Sequence, residues 1–346
     1  MNSVVKEILS YQPCLELWRM RERETMKRAI VLAFMTCLLG SMAVPAKTDS
    51  EKPVRISYLQ SDVHHLPLWI ALDKGIMKEC GAAIEIAGVF KAGPETMTAF
   101  TAGSLDMAYV GEAPALTAVA NKTAHVQVLA QVNTEGSAIV VGATSPIRRI
   151  TDLRNKTVAI PGHSTVQDFL LRRALGRIGL SPEDVGIIVL KPPEMIGALR
   201  TNQVNAFIAW EPFPSKAVTQ GVGKYLVASR EIWKDHPCCA VVVDTRFLKN
   251  HRDKVKAVIA AHVKAIDFIN KHPEEAVRVA MKYTGMDEET IRLALKNVTY
   301  TEALSIAGVE EYVNFLNEFK YIKIDDPKTF VAGFIEPKIL EEVQNP

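Results

Sequence analysis

The stretch Ala159–Asp168, AIPGHSTVQD, sets a glycine, a histidine, a serine and a threonine side by side at Gly162, His163, Ser164 and Thr165. Three chemistries suit such a set. A serine beside a histidine can supply an acyl-transfer nucleophile, a polar turn before a helix can grip an anion, and Ser or Thr can simply cap that helix. The nucleophile reading fails on spacing. The G-x-S-x-G elbow needs a glycine where Val166 stands, and no triad order of Asp and His accompanies it. Phosphate loops of the G-x-x-x-x-G-K-[ST] kind and the fingerprint G-x-G-x-x-G are absent as well. Ser164 and Thr165 are good N-cap types, with Gln167 and Asp168 three positions after them, as in a capping box. A helix beginning there exposes amides without intrahelical acceptors and the positive end of its dipole. The turn is therefore a cap and also a place for an anion, and Gly162 would let a ligand approach the backbone.

Other reactive side chains give less. His64 and His65 share a loop, with neither His-x-x-x-His spacing nor a Cys/His cluster, so no metal and no cofactor are expected. Glu211 directly follows an apolar run, where a carboxylate could meet a ligand amine or hydroxyl or cap the next helix. Paired with His65 it is the one acid–base couple to nominate, which is thin support for catalysis; no catalytic residue is assigned. Cys238 and Cys239 are adjacent, which strains a mutual bridge, and they are expected as buried free thiols. Trp69, on a helical run, is expected in the core.

These residues recur at one place in a repeating pattern. Val54–Leu59, Asp106–Val110, Thr157–Pro161, Gly186–Leu190 and Ala206–Trp210 read as strands, each followed by a short turn and a helix that often has proline in its first turn. The alternation argues an α/β fold with mostly parallel sheets. In such sheets ligands collect beyond the carboxyl ends of the strands. A cleft would then be lined by the turns Gln60–Leu66, Val110–Pro114, Gly162–Val166, Pro192–Met195 and Trp210–Pro212. Ser137–Ala143 and Cys238–Asp244 are apolar β-rich runs that read as strands crossing between two lobes. Residues 53–140 plus 242–346 would form a discontinuous first lobe, and residues 141–241 a second. The last hundred or so residues read as helices, with a stripe of Val255, Val258, Ile259, His262, Ile266 and Ile269.

The N-terminal 46 residues differ from the rest. Met26–Lys27–Arg28 is a short basic start, Ala29–Leu39 is apolar, and small residues at Val44 and Ala46 fit cleavage after Ala46. That is the pattern of a signal peptide, implying export to the periplasm. The formal charge of +2 is too small for a nucleic-acid surface.

The runs LPLWIALDKGIM, AGSLDMAYVGEAP, ITDLRNKTVAIPGHSTVQDFLLRRAL, KPPEMIGALRTNQVNAFIAWEPFPSKA and HPCCAVVV resemble, in order, the solute-binding proteins of bacterial ABC importers for aliphatic sulfonates, taurine and nitrate. The resemblance covers about Arg55 to Thr245. It implies a two-lobed periplasmic-binding fold with two crossover strands (type II), a monomer that hands a small-molecule solute to a membrane permease with a separate ATPase, and no catalysis. By position it implies solute contacts from Gln60, Ser61, His65, Leu66, Tyr109, Gly111, Glu112, Gly162, His163, Ser164, Thr165, Trp210 and Glu211. Aliphatic sulfonates or taurine, with an apolar tail against Trp69 or Met195, fit better than nitrate, because Lys191 is the one strong base in these turns. The alternative on the same fold is a thiamin-precursor (pyrimidine) binder or enzyme.

Overall fold

The computed structural model describes residues 52–345. The expected signal segment and its cleavage point lie outside the described residues. Among the described residues, runs rich in Val, Ile and Ala make eleven strands: β1 Val54–Leu59, β2 Ile84–Phe90, β3 Met107–Gly111, β4 Val126–Glu135, β5 Ser137–Gly142, β6 Thr157–Ile160, β7 Gly186–Val189, β8 Ala206–Trp210, β9 Gly223–Ala228, β10 Pro237–Asp244 and β11 Val298–Tyr300. They form two sheets, one in the order β11-β4-β10-β3-β1-β2 and one in the order β7-β6-β8-β5-β9.

The sheets are mixed, which corrects the expectation of mostly parallel pairing. β1 pairs parallel with β2 and β3, and β6 with β7 and β8. β10 runs antiparallel to β3 and β4, and β5 antiparallel to β8 and β9. The cause is where these two strands start. Ser137 opens β5 opposite Trp210, the last residue of β8, and Cys239 near the start of β10 faces Gly111, the last residue of β3. Both strands begin at the edge where the strand–turn–helix units end, so they must run back the other way. Neither strand passes from sheet to sheet along its length. The chain changes sheet at Gly136, between β4 and β5, and again between Ala228 and Pro237. Gly136 has φ +84°, a left-handed value that glycine adopts without a Cβ penalty.

Four strands, β2, β4, β9 and β11, were not legible in the sequence. In β4 the residues Gln127, Gln131, Asn133 and Thr134 break the apolar run, yet Gln131 and Asn133 are fully buried. The helices agree better. All six stripe residues of helix Arg252–Lys271 are buried, His262 included. Trp69 is fully buried and stacks on Tyr283 with ring centroids 5.2 Å apart, tying helix Leu66–Asp73 to helix Pro273–Thr284. Such burial is worth roughly 1.5–3 kcal/mol per large side chain. In helix Val166–Gly176, Val166, Phe169, Leu170 and Leu175 face the core as the spacing requires. Ile178 lies past the helix end and is 38% exposed, not part of that stripe.

Candidate functional site

The carboxyl ends of the strands from the two sheets meet around one small cavity of about 20 Å³. Leu59, Asp62, His64, Gly93, Gly111 and Pro114 come from the first sheet and its turns. Thr165, Val166, Gln167 and Trp210 come from the second, and Cys238 and Cys239 from the start of β10. The space holds about one water molecule. None of these lining residues is Lys or Arg. A wider groove of about 550 Å³ lies on the C-terminal helices, between Ile269 and Tyr300, but it is open and its Arg292 and Glu274 already pair with each other. The small cavity is the better candidate because buried reactive side chains converge on it.

One wall is a histidine–cysteine corner that sequence spacing concealed. Asp62 caps the turn Val63–His65 by accepting the His64 N–H at 3.0 Å. His64 Nε2 lies 2.9 Å from the Gly136 carbonyl, which can only accept, so this nitrogen carries the proton. A Cβ on residue 136 would sit 2.2 Å from that same Nε2, so only glycine permits the approach. His64 Nδ1 faces Cys238 Sγ at 3.5 Å and Cys239 Sγ at 3.7 Å. Adjacent residues of a regular strand point to opposite faces. Here β10 is bulged, with register shifts on both sides of Cys239, and both thiols turn to the same imidazole. Polar side chains of β4 satisfy the bulged backbone. Asn133 Oδ1 accepts the Cys239 N–H at 3.2 Å, and Gln131 Nε2 donates to the Cys239 carbonyl at 2.8 Å. That explains why β4 buries amides in an otherwise apolar sheet.

Burial dominates the electrostatics of this corner. It lifts the Asp62 carboxyl to about 7 against the pull of His64. Burial opposes charge on His64 too, but Asp62 and Cys238 outweigh it and raise the imidazole to about 9. A hydrogen bond from Cys239 and the charge of His64 hold the Cys238 thiol well below its usual range, while burial and Cys238 push Cys239 up. Burial and neighbouring His64 keep His65 neutral. The Glu112 carboxyl is buried without a hydrogen-bond partner and is pushed up to about 8, chiefly by burial.

The Gly162–Thr165 turn carries its own anion. Thr165 caps helix Val166–Gly176 by accepting the Asp168 N–H at 3.2 Å, and its hydroxyl donates to the Gly162 carbonyl at 2.7 Å. Asp168 is fully buried and accepts from the Ser164 N–H at 2.9 Å, from Tyr321 Oη at 2.7 Å and from Arg172 Nε at 2.7 Å. A carboxylate thus already sits at the positive end of the helix. Ser164 has φ +62° and donates across to Thr117 Oγ1 at 2.9 Å, while His163 is exposed and lies 3.4 Å from Tyr321 Oη. Gly162 is buried in the same turn.

Of the residues the resemblance implies as solute contacts, Gly111, Thr165 and Trp210 line the cavity. Gln60 is exposed with its N–H bonded to the Phe90 carbonyl, and Ser61 is a half-buried left-handed turn residue. His65 is buried, its Nδ1 accepting the Leu59 N–H at 3.0 Å, and Leu66 lies in the core. The Tyr109 hydroxyl meets His262 Nδ1 at 3.1 Å. Glu211 caps the following helix through Ser215 N–H at 3.0 Å and also accepts from Asn297 Nδ2 at 2.7 Å and Tyr225 Oη at 3.0 Å. Its oxygens and His65 Nδ1 are thus committed to different partners. Trp69 and Met195 are core residues away from the cavity wall. Lys191 pairs with Glu95 at 2.6 Å, joining the second sheet's helix Pro192–Arg200 to the first sheet's helix Gly93–Thr101. Asp62, His64, Cys238 and Cys239 were missed as a group, because more than 170 positions separate His64 from Cys238. The two adjacent cysteines were the available signal.

The NMT1-like family profile matches residues 47–283, well over half of the chain. The chain belongs to the NMT1-like family. A Bacillus subtilis protein named for aliphatic sulfonate binding is 29% identical over 329 residues, spanning 90% of this chain and 96% of that protein. Among solved structures, the ligand-binding component of an ABC-type import system from Staphylococcus aureus, with zinc bound, matches with a TM-score of 0.75 at 18% identity, covering 85% of this chain and 99% of that one. The alkanesulfonate-binding protein SsuA from Xanthomonas axonopodis pv. citri, bound to MOPS, matches with a TM-score of 0.72 at 19% identity, covering 82% and 98%. This NMT1-like chain therefore has the periplasmic-binding-protein fold. Among the described residues no helix is long and apolar enough to cross a membrane.

Proposed function

We propose that this protein is the extracytoplasmic solute-binding component of an ABC importer, exported through residues 1–46 and working as a monomer that delivers a small solute to a membrane permease driven by a separate ATPase. The observation that carries the reading is the buried cavity lined by strand ends of both sheets. A solute bridging two lobes shifts an open–closed equilibrium by its differential affinity for the closed form. The lobes in this reading are the two sheets with their helices, divided at Gly136 and between Ala228 and Pro237 rather than at the expected 140 and 242. Their contacts, Ser164 with Thr117 and Lys191 with Glu95, are what closure would form. Binding without catalysis is supported by Glu211 and His65 being engaged as cap and turn anchor.

Relatives named for sulfonates make taurine and alkanesulfonates the first organic solutes to test, with nitrate and aminopyrimidines beside them. Calorimetric titration should give one saturable site, and small-angle scattering should report a smaller radius of gyration on binding. Trp210→Ala should weaken the affinity by about tenfold, as expected for loss of a buried aromatic contact. A folded protein whose scattering profile answers to no solute, organic or metallic, would end the importer reading.

A further inference from the structure

The cavity is poor in the features an anion needs. No lining residue is Lys or Arg, the Asp62 carboxyl faces it, and its volume of about 20 Å³ is that of one water molecule rather than an alkanesulfonate. It is rich in soft donors. His64 Nδ1 lies 3.5 Å from Cys238 Sγ, 3.7 Å from Cys239 Sγ and 3.5 Å from Asp62 Oδ1. In a tetrahedral zinc site the bond lengths imply an imidazole-to-thiolate spacing of about 3.6 Å and an imidazole-to-carboxylate spacing of about 3.4 Å. All three edges that meet at His64 thus have the length a zinc ion would impose. The two sulfurs and Nδ1 lie within 4.8 Å of one another, and all four residues face the cavity.

The surroundings are those of a ligating imidazole. A metal-bound histidine usually donates its other N–H to a carbonyl or carboxylate. His64 does so to the Gly136 carbonyl, presenting Nδ1 to the thiols. His65 is not a ligand, since its Nδ1 already accepts the Leu59 N–H, which leaves the proton on Nε2, 3.8 Å from Asp62 Oδ2.

We propose that Asp62, His64, Cys238 and Cys239 form a tetrahedral site for a thiophilic divalent cation of the zinc class, and that this cation is the solute of the cavity. Paired thiolate and imidazole donors select such ions over magnesium or calcium. The identification of the solute rests on the importer reading; the existence of the site does not.

The test uses the full chain, reduced and metal-free, titrated with Co²⁺ as a spectroscopic probe and then with Zn²⁺. One Co²⁺ per chain should bind with thiolate-to-cobalt charge-transfer absorption and the strong visible bands of a tetrahedral centre, and Zn²⁺ should bleach both. Excess Mg²⁺ should leave them intact. Cys238→Ser, Cys239→Ser and His64→Gln should each weaken Zn²⁺ binding by on the order of 100-fold or more, at or beyond the upper end for a second-shell loss. Cys80→Ser, a half-buried thiol elsewhere, should change nothing. Circular dichroism of the metal-free variants shows whether each still folds. Absence of the charge-transfer band in folded, reduced protein, equal binding by the variants, or a Cys238–Cys239 disulfide in the freshly exported protein would overturn the site. Taurine that contracts a protein indifferent to Co²⁺ would remove the metal and keep the importer. A metal held with no change in scattering would keep the site and overturn the cation as the solute of the cavity.

Discussion

His262 gives the most quantitative prediction. It sits on the buried stripe of helix Arg252–Lys271, with Nε2 2.8 Å from the Gln131 carbonyl and Nδ1 3.1 Å from the Tyr109 hydroxyl. The carbonyl fixes the proton on Nε2, and Nδ1 accepts from the tyrosine, so the ring is satisfied as a neutral imidazole. Charging it would bury a cation with no counter-ion at hydrogen-bond distance. Burial accordingly depresses its pKa from 6.5 to about 4, the Gln131 hydrogen bond opposing only in part. Between these values the unfolded chain holds a proton that the folded chain refuses, so stability is complete above 6.5 and is lost as pH falls toward 4. At about 1.4 kcal/mol per pH unit, going from pH 7 to pH 5 should cost about 2 kcal/mol through this one residue. Marginal domains feel such a loss. Urea unfolding at both pH values, on the native protein and on His262→Gln, isolates the effect. The amide of Gln can still donate to Gln131 but cannot titrate. The native protein should lose about 2 kcal/mol more than the variant over that interval. If both lose stability equally, the buried neutral imidazole is not what senses acid, and the linkage argument for it fails.

Other outcomes follow from single contacts. Glu211→Ala strands the neutral donors of Ser215, Tyr225 and Asn297 and should destabilise by about 1–3 kcal/mol in urea unfolding, the range for leaving buried donors unsatisfied. Gly136→Ala drives a Cβ to 2.2 Å from His64 Nε2 at a left-handed φ, and should cost upward of about 2 kcal/mol in the same assay, with the His64 ring resonances displaced in NMR spectra. Thr165→Ala removes the cap of helix Val166–Gly176 and should lower stability by about 1 kcal/mol. Paired cysteines at Thr117 and Ser164, whose hydroxyl oxygens lie 2.9 Å apart across the two sheets, should cross-link on oxidation; the cross-linked protein should exchange bound solute far more slowly than its reduced form in a dialysis assay.

Much of the fold was legible because it is set locally. Apolar runs bounded by Pro and Gly gave the βα units, and a 3.6-residue stripe gave helix Arg252–Lys271. The Thr165 cap was readable for the same reason: an N-cap bonds within its own first turn. Strand direction was not local. β5 and β10 turned out antiparallel because each begins where another strand ends. β4 was hidden because its polar Gln131 and Asn133 serve a bulge on a different strand.

By itself, then, the sequence determined an α/β chain of strand–turn–helix units whose turns gather at one edge, since periodicity and turn chemistry act over a few residues. Only the tertiary structure decided what that edge contains. His64 and Cys238 are distant in the chain, and their side chains meet because Gly136 lets the imidazole reach its carbonyl and a bulge turns two adjacent thiols the same way. A donor set built from long-range pairing and one irregular strand has no spacing rule by which it could have been read beforehand.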